Sequence, residues 1–113
     1  MAKGREKHEA RLAAVQSFGK DLARRARSKC ELCESGEEVL IHDSDEEAEP
    51  SMETLMMLCG RCRAVLDGRK DDPRTLRFLE TAVWNETPVV AATAKHMLAG
   101  VDDGWARDTL AML

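Results

Sequence analysis

The chain has no tyrosine, and its aromatic residues are two tryptophans and two phenylalanines, 4% of a sequence in which 34% of residues are charged. So small an aromatic payload suits a helix-rich protein with a modest core, and a modest core often needs a staple. A run of ~18 or more consecutive apolar residues is also missing, which excludes a membrane-spanning helix. The basic N-terminus has no apolar segment behind it of the kind a secretory signal needs, so a cytoplasmic location is the expectation. At 113 residues there is no length for two independent cores. No internal repeat stands out.

One charge is missing from one stretch. Residues 30 to 53 hold ten carboxylates and no lysine or arginine, whereas residues 1 to 29 carry nine Lys/Arg against three Asp/Glu. The acidic stretch argues against phosphate-backbone binding by that part of the chain. Only the N-terminal segment offers a cationic patch, through Arg24, Arg25, Arg27 and Lys29. That patch is either a nucleic-acid contact, the solvated face of a helix, or an intramolecular partner for the acidic residues.

The sequence "CELCESGEEVLIHDSDEEAEPSMETLMMLCGRC", residues 30 to 62, contains every cysteine of the chain in two C-x-x-C pairs. In a reducing compartment this spacing favours zinc over disulfides, because two residues between thiolates form a tight knuckle that points both sulfurs at one ion. Cys30, Cys33, Cys59 and Cys62 are thus expected to hold one structural Zn²⁺ in a closed four-thiolate site, with no position left for water or substrate. Redox use of a thiol pair would need an electropositive pocket. Glu31, Glu34, Glu37 and Glu38 argue against one, although Lys29, Arg61 and Arg63 offset the negative charge.

Periodicity places helices on both sides of this module. Leu12, Val15, Phe18, Leu22 and Ala26 recur every three or four residues and predict one basic, amphipathic helix over 9–27, running almost into Cys30. "EVLIHD" reads as a short strand with Val39 and Ile41 on one face and Leu40 and His42 on the other. "ETLMMLC" returns as a second strand, with the acidic loop between them exposed. The glycine of "CGRC" allows a backbone turn toward the cysteine sulfurs, and Gly68 caps a short helix after Cys62. Asp72-Pro73 and Thr87-Pro88 each place a capping residue before a proline at the first helical position, and a last helix from about Gly104 would use Trp105, Thr109, Leu110 and Leu113. Trp84 is expected to anchor the core where two helices meet. Met52, Met56 and Met57 are expected to fill core gaps, and His96 to lie exposed.

Two resemblances follow from these motifs. The paired-cysteine frame around a strand resembles the HNH (His-Me finger) endonucleases, in which that strand ends in a cation-binding residue followed by a histidine base. His42 falls on the first position and Asp43 on the second; Thr54 stands where that family has an asparagine and Arg63 where it has a histidine. Hydrolysis of a phosphodiester at neutral pH needs a base with a pKa near ~7, and an ordinary aspartate is about three units too acidic. More of the chain, roughly residues 19 to 113, resembles the N-terminal zinc-ribbon region of PhnA-type proteins, a family named after an alkylphosphonate-utilisation operon. The matching segments are "GKDLARRARSKCELCES", "LCGRCR" and "RFLETAVWNETPVVAATAKHML". That resemblance implies zinc binding. Members typically continue into a second small β-rich domain, for which residues 1–113 hold no counterpart. A closed four-thiolate site has neither an open metal position nor an activated nucleophile for phosphonate hydrolysis.

The sequence thus predicts an α+β fold in one domain, 1–113. It divides into a basic N-terminal helical segment (about 1–29), a four-cysteine zinc-ribbon or treble-clef-like module with a short β-hairpin (30–68), and C-terminal helices (69–113). The function expected is that of a non-enzymatic, zinc-binding interaction or regulatory module with a protein partner, nucleic acid being possible and a membrane not. The alternative is a degenerate HNH-type metal-dependent nuclease or nucleic-acid-binding protein, with His42 and Asp43 as its catalytic pair.

Overall fold

A computed structural model describes residues 2 to 113. It is an α+β arrangement in which, among the described residues, one antiparallel hairpin lies amid six α-helices. The order is α1 (Ala2–Gln16), α2 (Gly19–Ala26), β1 (Leu40–Asp43), β2 (Leu55–Leu58), α3 (Gly60–Leu66), α4 (Leu79–Ala82), α5 (Pro88–Ala99) and α6 (Gly104–Ala111), with a 3₁₀ turn at Pro73–Leu76. None of these helices is long and apolar enough to cross a membrane.

The hairpin organises the core. Its register pairs Leu40 with Leu58, Ile41 with Met57, His42 with Met56 and Asp43 with Leu55. Side chains alternate across a strand, so β2 delivers Leu55 and Met57 to one face and Met56 and Leu58 to the other. On the first face Leu55 meets Val15 of α1 and Leu22 of α2, with Phe18, Ile41, Met52 and Met57 around them. On the second, Met56 and Leu58 join the cysteines and the inward residues of α4, α5 and α6: Leu79, Val90, Ala94, Leu98 and Ala106. Burying each such Leu or Met contributes roughly 1.5–3 kcal/mol. The two faces use different methionines as filler, in keeping with the reading of Met52, Met56 and Met57.

Several boundaries differ from the sequence expectation. The single helix over 9–27 is two helices. Ser17 Oγ donates back to Ala14 O, a contact that bends helices, and Gly19 follows two residues later. Leu12, one turn before the bend, is 48% exposed rather than part of the stripe. α2 does not run into Cys30 but ends at Ala26, where Ser28 N–H donates to Ala23 O and Arg27 N–H to Arg24 O. α3 ends with the same pair of bonds, Arg69 N–H to Ala64 O and Gly68 N–H to Val65 O. In α3 the left-handed position is taken by glycine, Gly68 at φ +110°; in α2 it is taken by Arg27 at φ +56°, with Ser28 at +60° behind it.

Downstream, Asp72 caps the turn through Arg74 N–H as its sequence suggests, but only a 3₁₀ turn and the short α4 follow, not one helix. α5 starts at Pro88 and ends before Gly100 as expected, with Val90, Ala94, Met97 and Leu98 buried. In α6 the buried residues are Ala106 and Thr109, and Leu113 is exposed. Val39 packs with the cysteine-side cluster rather than beside Ile41, because Glu38 just before it is left-handed, at φ +49°, and turns the chain. Trp84 is not a core anchor but 60% exposed: Leu79, Ala82 and Val83 take the inward positions around α4 and leave the next residue facing outward.

The contrast between the two helix ends gives a test. A left-handed residue other than glycine costs about 1–2 kcal/mol, partly offset by the greater unfolded-state freedom of glycine. Arg27→Gly should therefore raise stability by about 1 kcal/mol in urea denaturation, while Arg27→Ala should not.

Candidate metal centre

The local structure brings four sulfurs to one point. Cys30 and Cys33 lie on a tight loop in which Glu34 N–H donates to Cys30 O at 2.9 Å and Cys30 N–H to Ser35 O at 2.8 Å. Glu34 makes that return possible at φ +67°. Cys59 ends β2 and caps α3, its sulfur accepting from Cys62 N–H at 3.4 Å, while Cys62 lies in the first turn of the helix. The cysteines of the two pairs thus meet although 26 residues separate Cys33 from Cys59.

All four sulfurs lie within 4.8 Å of one another, and Cys33 Sγ and Cys59 Sγ are 3.5 Å apart. A tetrahedral zinc site with bonds of about 2.3 Å requires sulfurs about 3.8 Å apart, so the donor set fits one such ion. Cys30, Cys59 and Cys62 are buried, and Cys33 is half-buried. Among the described residues this is the one place where three or more His, Cys, Asp or Glu side chains converge as potential ligands.

The electrostatics favour a cation here. A hydrogen bond from Cys62 holds the Cys30 thiol well below its ordinary value, and that bond together with burial pushes Cys62 above it. Burial also raises Cys33. Four separate thiolates in so dry a space would repel one another, a conflict that a divalent ion removes. Arg61 stands beside the cluster. Burial opposes its charge, but its contact with Cys33 and the field of the sulfurs outweigh that cost and raise its pKa.

The residue between the first two sulfur positions that sequence reasoning missed is Glu31. It counts in the sequence only as one of several surface acids, yet its carboxylate is 6% exposed and takes a two-pronged bond from the Arg25 guanidinium, at 2.7 and 3.0 Å. The same carboxylate accepts from Met57 N–H at 2.8 Å, while Glu31 N–H donates to Met57 O at 2.8 Å. Arg25 also donates to Met52 O and Leu55 O. Arg25 is therefore an internal clamp, which removes it from the cationic patch, whereas Arg24, Arg27 and Lys29 are exposed. The sequence signal available was that Arg25 and Glu31 are six residues apart across a helix end, which does not by itself specify a contact.

The pair His42 and Asp43 is placed less favourably for chemistry. Asp43 receives Arg11 Nε at 2.9 Å and Nη2 at 2.8 Å, and the same guanidinium holds Asp45 O and Ala48 O, fixing the acidic loop to α1. Oδ2 is held by Arg11 and Oδ1 accepts from Asp45 N–H, so both carboxylate oxygens are engaged in fixing the loop. His42 is half-buried beside a groove of about 450 Å³ that also contains Asp67, Thr93 and the exposed His96. Burial lowers its pKa against the pull of Asp43 and Asp67. Thr54 is used in the loop, accepting from Ser51 N–H, and Arg63 reaches Glu38 O and Leu58 O. Gly60, the glycine of "CGRC", is helical, with a backbone that needs no glycine; an added Cβ would meet the end of the exposed Glu38 side chain, which can swing aside.

Searches against models of protein families, curated proteins and solved structures find no match to this chain. The class defined by fold and site is accordingly a small α+β protein with a possible four-cysteine metal site.

Two outcomes check this geometry. Glu31→Ala leaves the half-buried Arg25 charge and the Met57 N–H without their partner, and should lower stability by about 3 kcal/mol in urea denaturation. His42 carries a depressed pKa when folded, so the unfolded chain binds its proton more readily. Its contribution is intact above the ordinary value of 6.5 and stability is lost as pH falls below it. In paired denaturation curves, the stability lost by His42→Gln on acidification from neutrality should be smaller than that lost by the native chain.

Proposed function

We propose that the chain is a PhnA-like, structural-zinc module of treble-clef type that serves as a non-enzymatic interaction unit. The observation that carries this reading is the sulfur cluster itself: four thiol ligands, three of them buried, which would occupy every position of one tetrahedral ion. The order of loop, hairpin and helix, with the second cysteine pair at the helix start, supports the treble-clef assignment. In this reading Cys30, Cys33, Cys59 and Cys62 hold the zinc. Its binding free energy is folding free energy, because the four ligands join segments far apart in sequence.

A closed thiolate site offers its ion no open position for water, which leaves binding as the activity. The Arg11 grip on Asp43 and the absence of a further ligand cluster around His42 among the described residues weigh against the nuclease alternative. A protein partner is favoured over nucleic acid because one of the four patch cations, Arg25, is consumed internally.

Purified protein should contain one zinc per chain by elemental analysis, and Cys30→Ser or Cys62→Ser should abolish stoichiometric zinc. Removal of zinc with a strong chelator should unfold the hairpin and the helices together, read by circular dichroism. A correctly folded protein without stoichiometric zinc would overturn the reading, and so would cleavage of plasmid, single-stranded DNA or RNA in magnesium, manganese or nickel that His42→Ala removes.

A further inference from the structure

A groove of about 810 Å³ lies beside Cys33 and contains Trp84, Phe78, Glu34 and Glu86. That volume falls within the ~300–1,000 Å³ of ligand-binding sites. Trp84 is the most exposed aromatic side chain of the chain, at 60%. It sits there because α4 turns its other apolar residues inward, so its exposure follows from the fold rather than from a frayed end.

The groove is acidic. Glu34 and Glu86 are exposed carboxylates within it, Glu31 faces it with its charge already met by Arg25, and Arg27 is the one cation of its lining. The four thiolates of a loaded zinc site would add to the negative field through Cys33, as a Zn²⁺ ion with four thiolates carries a net charge of −2. Glu34 has a further distinction: its backbone is left-handed, where glycine would be easier to hold.

Cation–aromatic pairings already present show what this surface suits. At the groove itself Arg61 lies over the Phe78 ring at 5.2 Å, and elsewhere Arg77 lies over the Trp105 ring at 5.4 Å. Among the described residues no cation stands over Trp84. An exposed indole that shares a groove with the Glu34 and Glu86 carboxylates is matched by an arginine or lysine arriving from outside, whose side chain stacks on the ring while its charge is met by those carboxylates.

Building on the interaction-module reading, we propose that this groove is the docking site of a basic peptide segment of a partner protein. One arginine or lysine of that segment lies across Trp84, its head group is paired with Glu34 and Glu86, and the adjoining aliphatic stem covers the edge of Phe78.

The experiment uses zinc-loaded full-length chain, titrated calorimetrically with two capped peptides of about ten residues. One alternates arginine with alanine and the other glutamate with alanine. The arginine peptide should bind with 1:1 stoichiometry and weaken with added salt. Trp84→Ala should reduce its affinity at least tenfold, as should the double change Glu34→Gln and Glu86→Gln, with zinc content and circular dichroism unchanged because all three side chains are exposed. Arg24→Glu, outside the groove, should not weaken binding. Equal binding of both peptides, undiminished binding to the Trp84→Ala protein, or no binding by folded, zinc-loaded chain would each overturn the docking site while leaving the zinc reading intact. A single-stranded oligonucleotide that binds in competition with the arginine peptide would also overturn it. So would sedimentation showing that a second copy of the chain occupies the groove. Absence of zinc in folded protein is the separate result that removes the underlying reading.

Discussion

The Glu31 carboxylate joins three parts of the molecule that have little else in common. It lies on the loop between two of the clustered sulfurs, binds the Arg25 guanidinium of α2, and accepts from the outer edge of β2 at Met57. A two-stranded sheet is marginal in water, and its edges need cover. Here the knuckle supplies that cover on β2, with Glu31 bonding through backbone and side chain at once, while Arg25 takes up the Leu55 and Met52 carbonyls farther along. Remove this junction and the first cysteine pair is no longer held in register with the second. The position of half the clustered sulfurs therefore depends on a salt bridge outside the cluster.

The same junction explains why the hairpin separates two cores rather than capping one. β2 is buried on both faces because α1 and α2 lie on one side and the knuckle with α4 to α6 on the other. The clusters are unequal: the first has Val15, Leu22 and Leu55 as its buried members, and the second has fifteen. A cluster as small as the first gains stability from cross-links to the rest, and the Arg25–Glu31 clamp is one. The clamp contributes directional bonds in a partly dry setting, where breaking it is costly. An ion held at the sulfurs would add to this by closing the chain between Cys33 and Cys59.

Much of this was legible in the sequence where a local rule decides the outcome. Cysteine spacing located the cluster, strand alternation located the hairpin, and Thr87-Pro88 and Gly68 marked ends that hold in the structure. The misreadings share a different cause. The stripe over Leu12 to Ala26 is continuous in sequence, but a serine back-bond and a glycine bend it, and periodicity does not register a bend. Trp84 looked like an anchor by size; its outward position is set by which neighbours around α4 reach the core first. Glu31 and Arg25 looked like surface charges because nothing local distinguishes a buried carboxylate from an exposed one. Arg27 and Glu34 occupy left-handed positions where the usual marker, glycine, is absent, so both turns were invisible.

The distribution of chemistry over the molecule follows from these constraints. At the hairpin, the two residues that resemble a catalytic pair are turned to structural ends: Asp43 binds α1 through Arg11, and His42 is favoured as the neutral form by burial. At the cysteines, four sulfurs converge within 4.8 Å of one another, a donor set that would fill every position of one tetrahedral ion. What the fold leaves exposed is the far side of the knuckle, where Glu34, Glu86 and Trp84 line one groove with Arg27 as the cation of its lining and Arg61 stacked on Phe78. The acidic residues are paired near α1 by Arg11 and at β2 by Arg25, whereas Glu34 and Glu86 form no salt bridge among the described residues. Charge that is unbalanced, accessible and placed beside an exposed indole is costly to the isolated chain only in a minor way, yet it discriminates strongly between cationic and anionic partners. On the proposed docking of a basic segment, selectivity between partners of opposite charge is what this arrangement of side chains would provide.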